Sequence, residues 1–203
     1  MFSLFARYSL SNPHIYSTTM RFLGSDQISR MFIETYVRPK AGDNVLDIGC
    51  GPADILNFFP DVNYYGFDID ARYIDAARKQ FGKRGTFVCN KVSKDTLEKN
   101  SQFDVILAKG VLHHLNDTEA ADMFELAQMH LKPDGRLITF DGCYVPGQSI
   151  LAKKFLAMDR GKYVRTKEAY LKLALQSFSN VIPTIRHDLL RIPYTILIME
   201  CTK

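Results

Sequence analysis

The sequence predicts an α/β three-layer sandwich: a mostly parallel seven-stranded sheet between two layers of helices, with an antiparallel last strand. Three observations predict it. Strand-like segments with helical connections recur five times between Asn44 and Phe140, so each connection is a crossover and the strands lie parallel. The run Phe103 to Ala108 is continuously apolar, as a strand must be when both faces of its sheet are covered. Two final strand-like runs, Val181 to Leu189 and Tyr194 to Cys201, are separated only by Leu190-Arg191-Ile192-Pro193, too short for a crossover, so they pair antiparallel.

Each element has its own signal. Over residues 25–37, Ile28, Met31, Phe32 and Tyr36 fall at helical spacing, and Pro39 ends the helix. The core strand Asn44 to Ile48 runs into a glycine loop, after which Ile55, Phe58 and Phe59 suggest a short helix stopped by Pro60. Asn63 to Phe67 reads as the second strand. Asp70 caps a helix that stacks Ile74, Ala77, Arg78 and Phe81 on one face until Gly82. Thr86 to Cys89 is the third strand, and a polar stretch with Asp95 and Glu98 leads to the fourth. Asn116 and Glu119 form a capping-box variant ahead of Ala120, Phe124, Ala127 and Leu131. Lys132-Pro133-Asp134-Gly135 is a tight turn before the fifth strand, Arg136 to Phe140. A helical piece from Gln148 to Met158, a basic loop from Asp159 to Arg165 and a helix from Thr166 to Phe178 precede the final pair.

With 203 residues, 46% of them apolar, the chain suits one domain: an N-terminal helical lid (1–40), a ligand-binding core (44–141), an insertion (142–165) and a last helix with the strand pair (166–203). Cys50, Cys89, Cys143 and Cys201 lie far apart without a C-x-x-C pair, which points to reduced thiols in a cytoplasmic protein. No run is apolar enough for a signal peptide or a membrane span. The first acid is Asp26, after Arg7, Arg21 and several serines, a composition shared by mitochondrial transit peptides; Ile15, Tyr16, Phe22 and Leu23 equally suit a lid, the reading adopted. The net charge of +4 is uneven, with seven cations between Lys153 and Lys172. Such a run is usually a solvated face, and its alternative is an anionic substrate or partner.

The chemistry concentrates where the first strand meets the loop VLDIGCGPAD, Val45 to Asp54. Gly49 and Gly51 let backbone approach a ligand at the carboxyl end of a parallel strand, and Asp68, ending the second strand, is placed for ribose hydroxyls. Together they imply an adenosine-type ligand. A dinucleotide fingerprint needs a small third residue where this chain has Asp54, whose charge beside a pyrophosphate opposes binding. Asp47, before the first glycine, suits a ligand that carries an ammonium group. The P-loop reading fails because no G-K-[ST] follows.

Four blocks in order carry a resemblance: VLDIGCGPAD, YYGFDID (Tyr64 to Asp70), FDVILAKGVLHHL (Phe103 to Leu115) and LKPDGRLITFD (Leu131 to Asp141). On them the chain resembles the class I, Rossmann-like methyltransferases, especially the small-molecule branch that includes the ubiquinone and menaquinone biosynthesis enzymes. The resemblance implies S-adenosylmethionine as cofactor, S-adenosylhomocysteine as its product, a small-molecule acceptor and a monomer or homodimer. It implies that Asp47, Gly49, Cys50 and Gly51 lie under the methionine part, that Asp68 holds the ribose, and that Ile69 packs on the adenine. Asn90 stands where the family often has an Asp for the adenine amine. Ala108 and Lys109 would offer backbone to the methionine end, and Arg21 or Tyr16 of the lid would reach its carboxylate.

Methyl transfer needs an in-line nucleophile about 3 Å from the carbon, so positioning and desolvation contribute much of the catalysis. A base is needed where the acceptor must lose a proton, and His113 and His114 follow the fourth strand near the emerging methyl. His113, with Asp141 and Tyr144 after the fifth strand, forms the candidate catalytic set; the bland reading of each is capping, turn formation or packing. No metal is expected, since adjacent histidines point apart and no third ligand is in register. The cations Arg160, Lys162 and Arg165, with Tyr163, suit an anionic acceptor. An RNA or protein methyltransferase is the alternative raised by the basic C-terminal quarter, and a cofactor-binding protein without catalysis is another. The chain lacks the Asn/Asp-Pro-Pro-Tyr tract of many amino-group nucleic-acid methyltransferases and shows no RNA-binding module, so a nucleic-acid partner is not expected, and with no run long enough to span a bilayer neither is a membrane partner.

Overall fold

The structure is a computed structural model that describes residues 25–98, 100–159, 161–190 and 192–203. Helix α1 (Ser25–Phe32) precedes β1 (Asn44–Ile48) and β2 (Asn63–Asp68), followed by α2 (Ala71–Phe81), β3 (Gly85–Cys89) and β4 (Phe103–Lys109). Then come α3 (Asp117–His130), β5 (Leu131–Tyr144), α4 (Ile150–Ala157), β6 (Arg165–Thr166), α5 (Lys167–Ala174), β7 (Asn180–Arg186) and β8 (Ile196–Thr202). The sheet order is β3-β2-β1-β4-β5-β8-β7, with β6 paired to β5 off this path. β8 runs antiparallel to both β5 and β7, and the other pairings are parallel. This is the predicted architecture, plus one two-residue strand.

Period-two alternation explains the apolar central strands. Leu46, Ile106 and Ala108 face one core with Phe124 and Ala127 of α3 and Tyr170 and Leu173 of α5. Val45, Val105 and Leu107 face the other, with Phe32 of α1 and Ile74 and Ala77 of α2. Both faces are covered, so no position in these strands can be polar without a partner.

The predicted caps are formed. Asp70 accepts from the Arg72 amide at 2.9 Å, and Asn116 with Glu119 closes a reciprocal capping box at 3.0 Å each way. The helix predicted over 25–37 changes character after Phe32: Ile33–Val37 form a π-helical turn that ends at Arg38, whose φ is 49°. Arg136 caps it from β5 by donating to the Val37 and Arg38 carbonyls at 2.5–3.0 Å.

Three expectations are corrected. The Lys132–Gly135 turn does not precede the fifth strand but bulges within it: Phe103 pairs with Leu131, and Val105 already pairs with Arg136. The bulge is held by Lys132 on Asp104, at 2.7 and 2.9 Å, and Gly135 fits because a Cβ there would lie 2.8 Å from the Phe103 carbonyl. The strand runs on past Phe140 to Tyr144, because β8 and β6 supply partners along its end. The link between the last strands spans 187–195, and within it the Thr195 hydroxyl bonds Gln148 at 2.6 Å and His187 at 3.1 Å while its carbonyl accepts from the Cys143 amide of β5 at 3.0 Å.

Among the described residues no helix is long and apolar enough to cross a membrane.

Candidate active site

The carboxyl ends of β1, β2 and β4 meet at the glycine loop. Gly49 and Gly51 have φ of 72° and 55°, a left-handed region that disfavours side chains. The amides of Gly49 and Cys50 both donate to the Phe67 carbonyl, at 2.8 and 2.9 Å, folding the loop against β2. The two glycines then serve different ends. A Cβ on Gly49 would lie 2.6 Å from Val111 Cγ2, so this glycine admits the segment after β4, whereas a Cβ on Gly51 would meet nothing within 4 Å among the described residues. Gly51 faces space that these residues leave open, the place a ligand needs. Cys50 turns its sulfur away under β2, where Gly66 makes room for it.

Asp68 ties this rim together. One carboxylate oxygen accepts from the Gly51 amide at 2.9 Å and the other from the Asp70 amide at 2.8 Å, with the Ile69 amide also directed at the carboxylate. Burial raises its pKa, and those amides partly offset the rise. Ile69 beside it is 78% exposed, an apolar side chain at the rim. Asn90 ends β3 on the same edge, its side chain accepting from the Lys91 amide.

Asp47 lies beneath the loop, buried, with Tyr64 donating to it at 2.5 Å. Burial pushes its pKa up to about 7, against the hydrogen bond from Tyr64 and the charge of Lys109. Lys109 in turn lies over the Phe140 ring at 5.5 Å, its pKa lowered by burial and held up by Asp47 and Asp54. The sequence suggests only backbone from Ala108 and Lys109; Ala108 is fully buried, but the Lys109 side chain is the counter-charge of the loop.

The second cluster lies past β4. His113, in a single 3-10 turn (Leu112–His114), places Nδ1 2.7 Å from Asp141 Oδ1, and its backbone amide donates to the same oxygen at 3.2 Å. With Asp141 accepting, the ring carries its proton on Nδ1 and turns Nε2 away. Nε2 lies 3.5 Å from Asp159, whose other oxygen accepts from the Tyr194 hydroxyl at 2.5 Å. Burial raises the Asp141 pKa, and the hydrogen bond from His113 opposes the rise. Asp159 is held below the usual carboxylate range, chiefly by Tyr194 and the charge of His113 overcoming its burial.

His113 and Asp141 are thus brought together as expected, while Tyr144 is not: three residues on, it faces the opposite side of the strand, and its backbone pairs with Thr166. Arg21, Tyr16 and Arg160 lie outside the described residues. Arg165 is no anion ligand. Its side chain is only 8% exposed and donates to the carbonyls of Leu112, Leu115 and Tyr163 and to Asp117, at 2.7–2.9 Å. It therefore holds the turn that carries His113. Arg165→Ala strands three carbonyls and is expected to cost about 2–4 kcal/mol, lowering the melting temperature by roughly 5–10 °C; an unchanged melt would refute this role.

Asp159 and Tyr194 were not found from sequence. The one available signal was Gly161, which a Cβ would drive to 2.0 Å from His113 Cδ2. Among the described residues no group of three or more His, Cys, Asp or Glu side chains is arranged to hold a metal ion.

The sheet order, the antiparallel β8 and the loop at the carboxyl end of β1 define the Rossmann-like methyltransferase fold. Residues 46–137 match the family model described as a methyltransferase domain. Over 157 residues the chain is 30% identical to phosphoethanolamine N-methyltransferase 1 of Triticum aestivum, covering 73% of this chain and 31% of that one. The chain spans about a third of the length of the curated relatives it matches. Its fold is shared with the pyocyanin biosynthetic protein PhzM (TM-score 0.71, 14% identity, 93% of this chain and 58% of that one). It is also shared with a TehB-like SAM-dependent methyltransferase from Corynebacterium glutamicum (TM-score 0.62, 17% identity, 94% and 98%).

Proposed function

We propose that this protein is an S-adenosylmethionine-dependent methyltransferase acting on a small-molecule acceptor, with His113 as general base. The observation that carries the reading is the His113–Asp141 pair at 2.7 Å, set beyond β4 on the edge where the glycine loop opens. The cofactor supplies a methyl group made electrophilic by a sulfonium. The residues present fit it: a Gly51 that no described residue crowds, an exposed Ile69 to stack on adenine, and the Asp68 carboxylate at the strand end for ribose hydroxyls. Asn90 stands near the adenine edge, and the carboxylate of Asp47 favours an ammonium group, directly or through water. Ala108 and Lys109 contribute backbone at the methionine end.

On the acceptor side, His113 takes the proton that an oxygen or nitrogen nucleophile must lose, at Nε2 beside Asp159, and Asp141 and Asp159 on either side of the ring stabilise the resulting imidazolium. The finer assignment is a small anionic acceptor. The name of the wheat relative, which specifies a phosphorylated amine, supports it, as does the exposed Lys162; the quinone-biosynthesis branch rests on the four sequence blocks alone. Calorimetry tests the cofactor reading. Asp68→Ala is expected to weaken S-adenosylmethionine about 10–100-fold, as two charged hydrogen bonds are lost. Equal affinity in the variant, or preferential binding of a nicotinamide dinucleotide, would overturn it.

A further inference from the structure

Three of the large apolar side chains left exposed belong to one short element: Ile150 (75%), Leu151 (58%) and Met158 (77%), on α4 and its C-cap. At 100° per residue, Ile150, Lys154, Ala157, Met158 and Leu151 share one arc with Lys153 at its margin, and both lysines are exposed. The opposite arc is buried through Ala152 and Leu156, the latter seated where Gly142 of β5 lacks a Cβ. No acidic residue occurs from Gly142 to Met158, and Asp159, the first beyond, is turned inward onto Tyr194 and His113.

We infer that α4 docks this protein onto an anionic phospholipid surface. Charge complementarity selects that occupant. Lys153 at the margin of the apolar arc and Lys154 within it bury their stems while their ammonium groups extend to headgroup phosphates, and Ile150, Leu151 and Met158 insert on either side of Lys154. A nucleic acid would gain nothing from three aliphatic side chains, because its affinity comes from phosphate contacts and stacking. The sequence argued against a membrane partner because no segment spans a bilayer, but an interfacial helix needs no such length. The basic stretch also divides physically: Arg165 points inward, while Lys153, Lys154 and Lys162 remain on the surface. Since Leu156 of α4 packs on Gly142, next to Asp141, and Asp159 follows the C-cap Met158, docking would bring the reaction edge close to the lipid surface.

The test is co-sedimentation of the full chain with vesicles of phosphatidylcholine alone or mixed with phosphatidylglycerol. Two lysines predict about thirty-fold stronger partition onto the mixed vesicles, weakened by added salt. Leu151→Asp with Met158→Asp, and separately Lys153→Glu with Lys154→Glu, are expected to abolish that binding while melting temperature and cofactor affinity stay unchanged. Absence of vesicle binding by the unaltered chain would overturn the inference, whether the face is bare or reserved for an acidic protein. So would binding that survives both variants. A dimer dissolved by the same variants without any vesicle binding would assign the face to a second copy of the chain.

Discussion

Replacing His113 by alanine is expected to lower kcat by about 10²–10⁴-fold for an oxygen or nitrogen acceptor, the range a positioned general base contributes. Single-turnover product formation measures this, and calorimetry should show the cofactor affinity unchanged, because His113 lies beyond the glycine loop. The prediction rests on the orientation of the ring: the His113 backbone amide holds the Asp141 carboxylate in place, and that carboxylate fixes the imidazole through Nδ1, so ring rotation breaks the Nδ1 hydrogen bond. Asp141→Asn keeps an oxygen for those donors but removes the charge that stabilises the imidazolium, so a smaller loss in the same direction is expected. Full activity in His113→Ala would reassign the pair to holding the turn after β4.

The second large effect is expected from Asp47→Asn, and it has opposite signs for binding and stability. A carboxylate whose folded pKa is raised to about 7 binds its proton more tightly in the folded than in the unfolded chain. Its contribution to stability is therefore present below the unfolded carboxylate range and lost as pH rises towards 7. At pH 8 the buried charge costs at most ~4 kcal/mol, a figure that already includes its attraction to Lys109. Asp47→Asn keeps an acceptor for Tyr64 and removes that charge, so the melting temperature should rise at pH 8 and change little near pH 4. Cofactor affinity should fall about 10–100-fold with loss of the ammonium partner, and in the unaltered protein it should weaken as pH drops below about 7. A variant that is less stable at pH 8, or binds the cofactor as before, would contradict this account.

Much of the frame was legible because it depends on local or periodic signals. Asn116 and Glu119 announce a capping box by spacing alone, Phe103–Ala108 announces a doubly covered strand, and the short final link forces an antiparallel pair. Gly49, Gly51 and Asp68 were legible for the same reason: left-handed backbone and a strand-end acid are properties of a position in a motif. The bulge at Lys132–Gly135 was misplaced because its cause lies on another strand, in the pairing of Phe103 and the charge of Asp104.

The sequence by itself determined the layered sheet and the glycine-loop edge with Gly49, Gly51 and Asp68 on it, because those follow from periodicity and from the conformations glycine allows. Only the tertiary structure decided what the charges do. Arg165 resembled its basic neighbours until five hydrogen bonds placed it behind the His113 turn. Asp159 resembled a surface acid until Tyr194, 35 residues away, met it across the site. A charged side chain has no intrinsic address: whether it faces water, a ligand or a carbonyl is set by partners distant in the chain, and these come together only on folding.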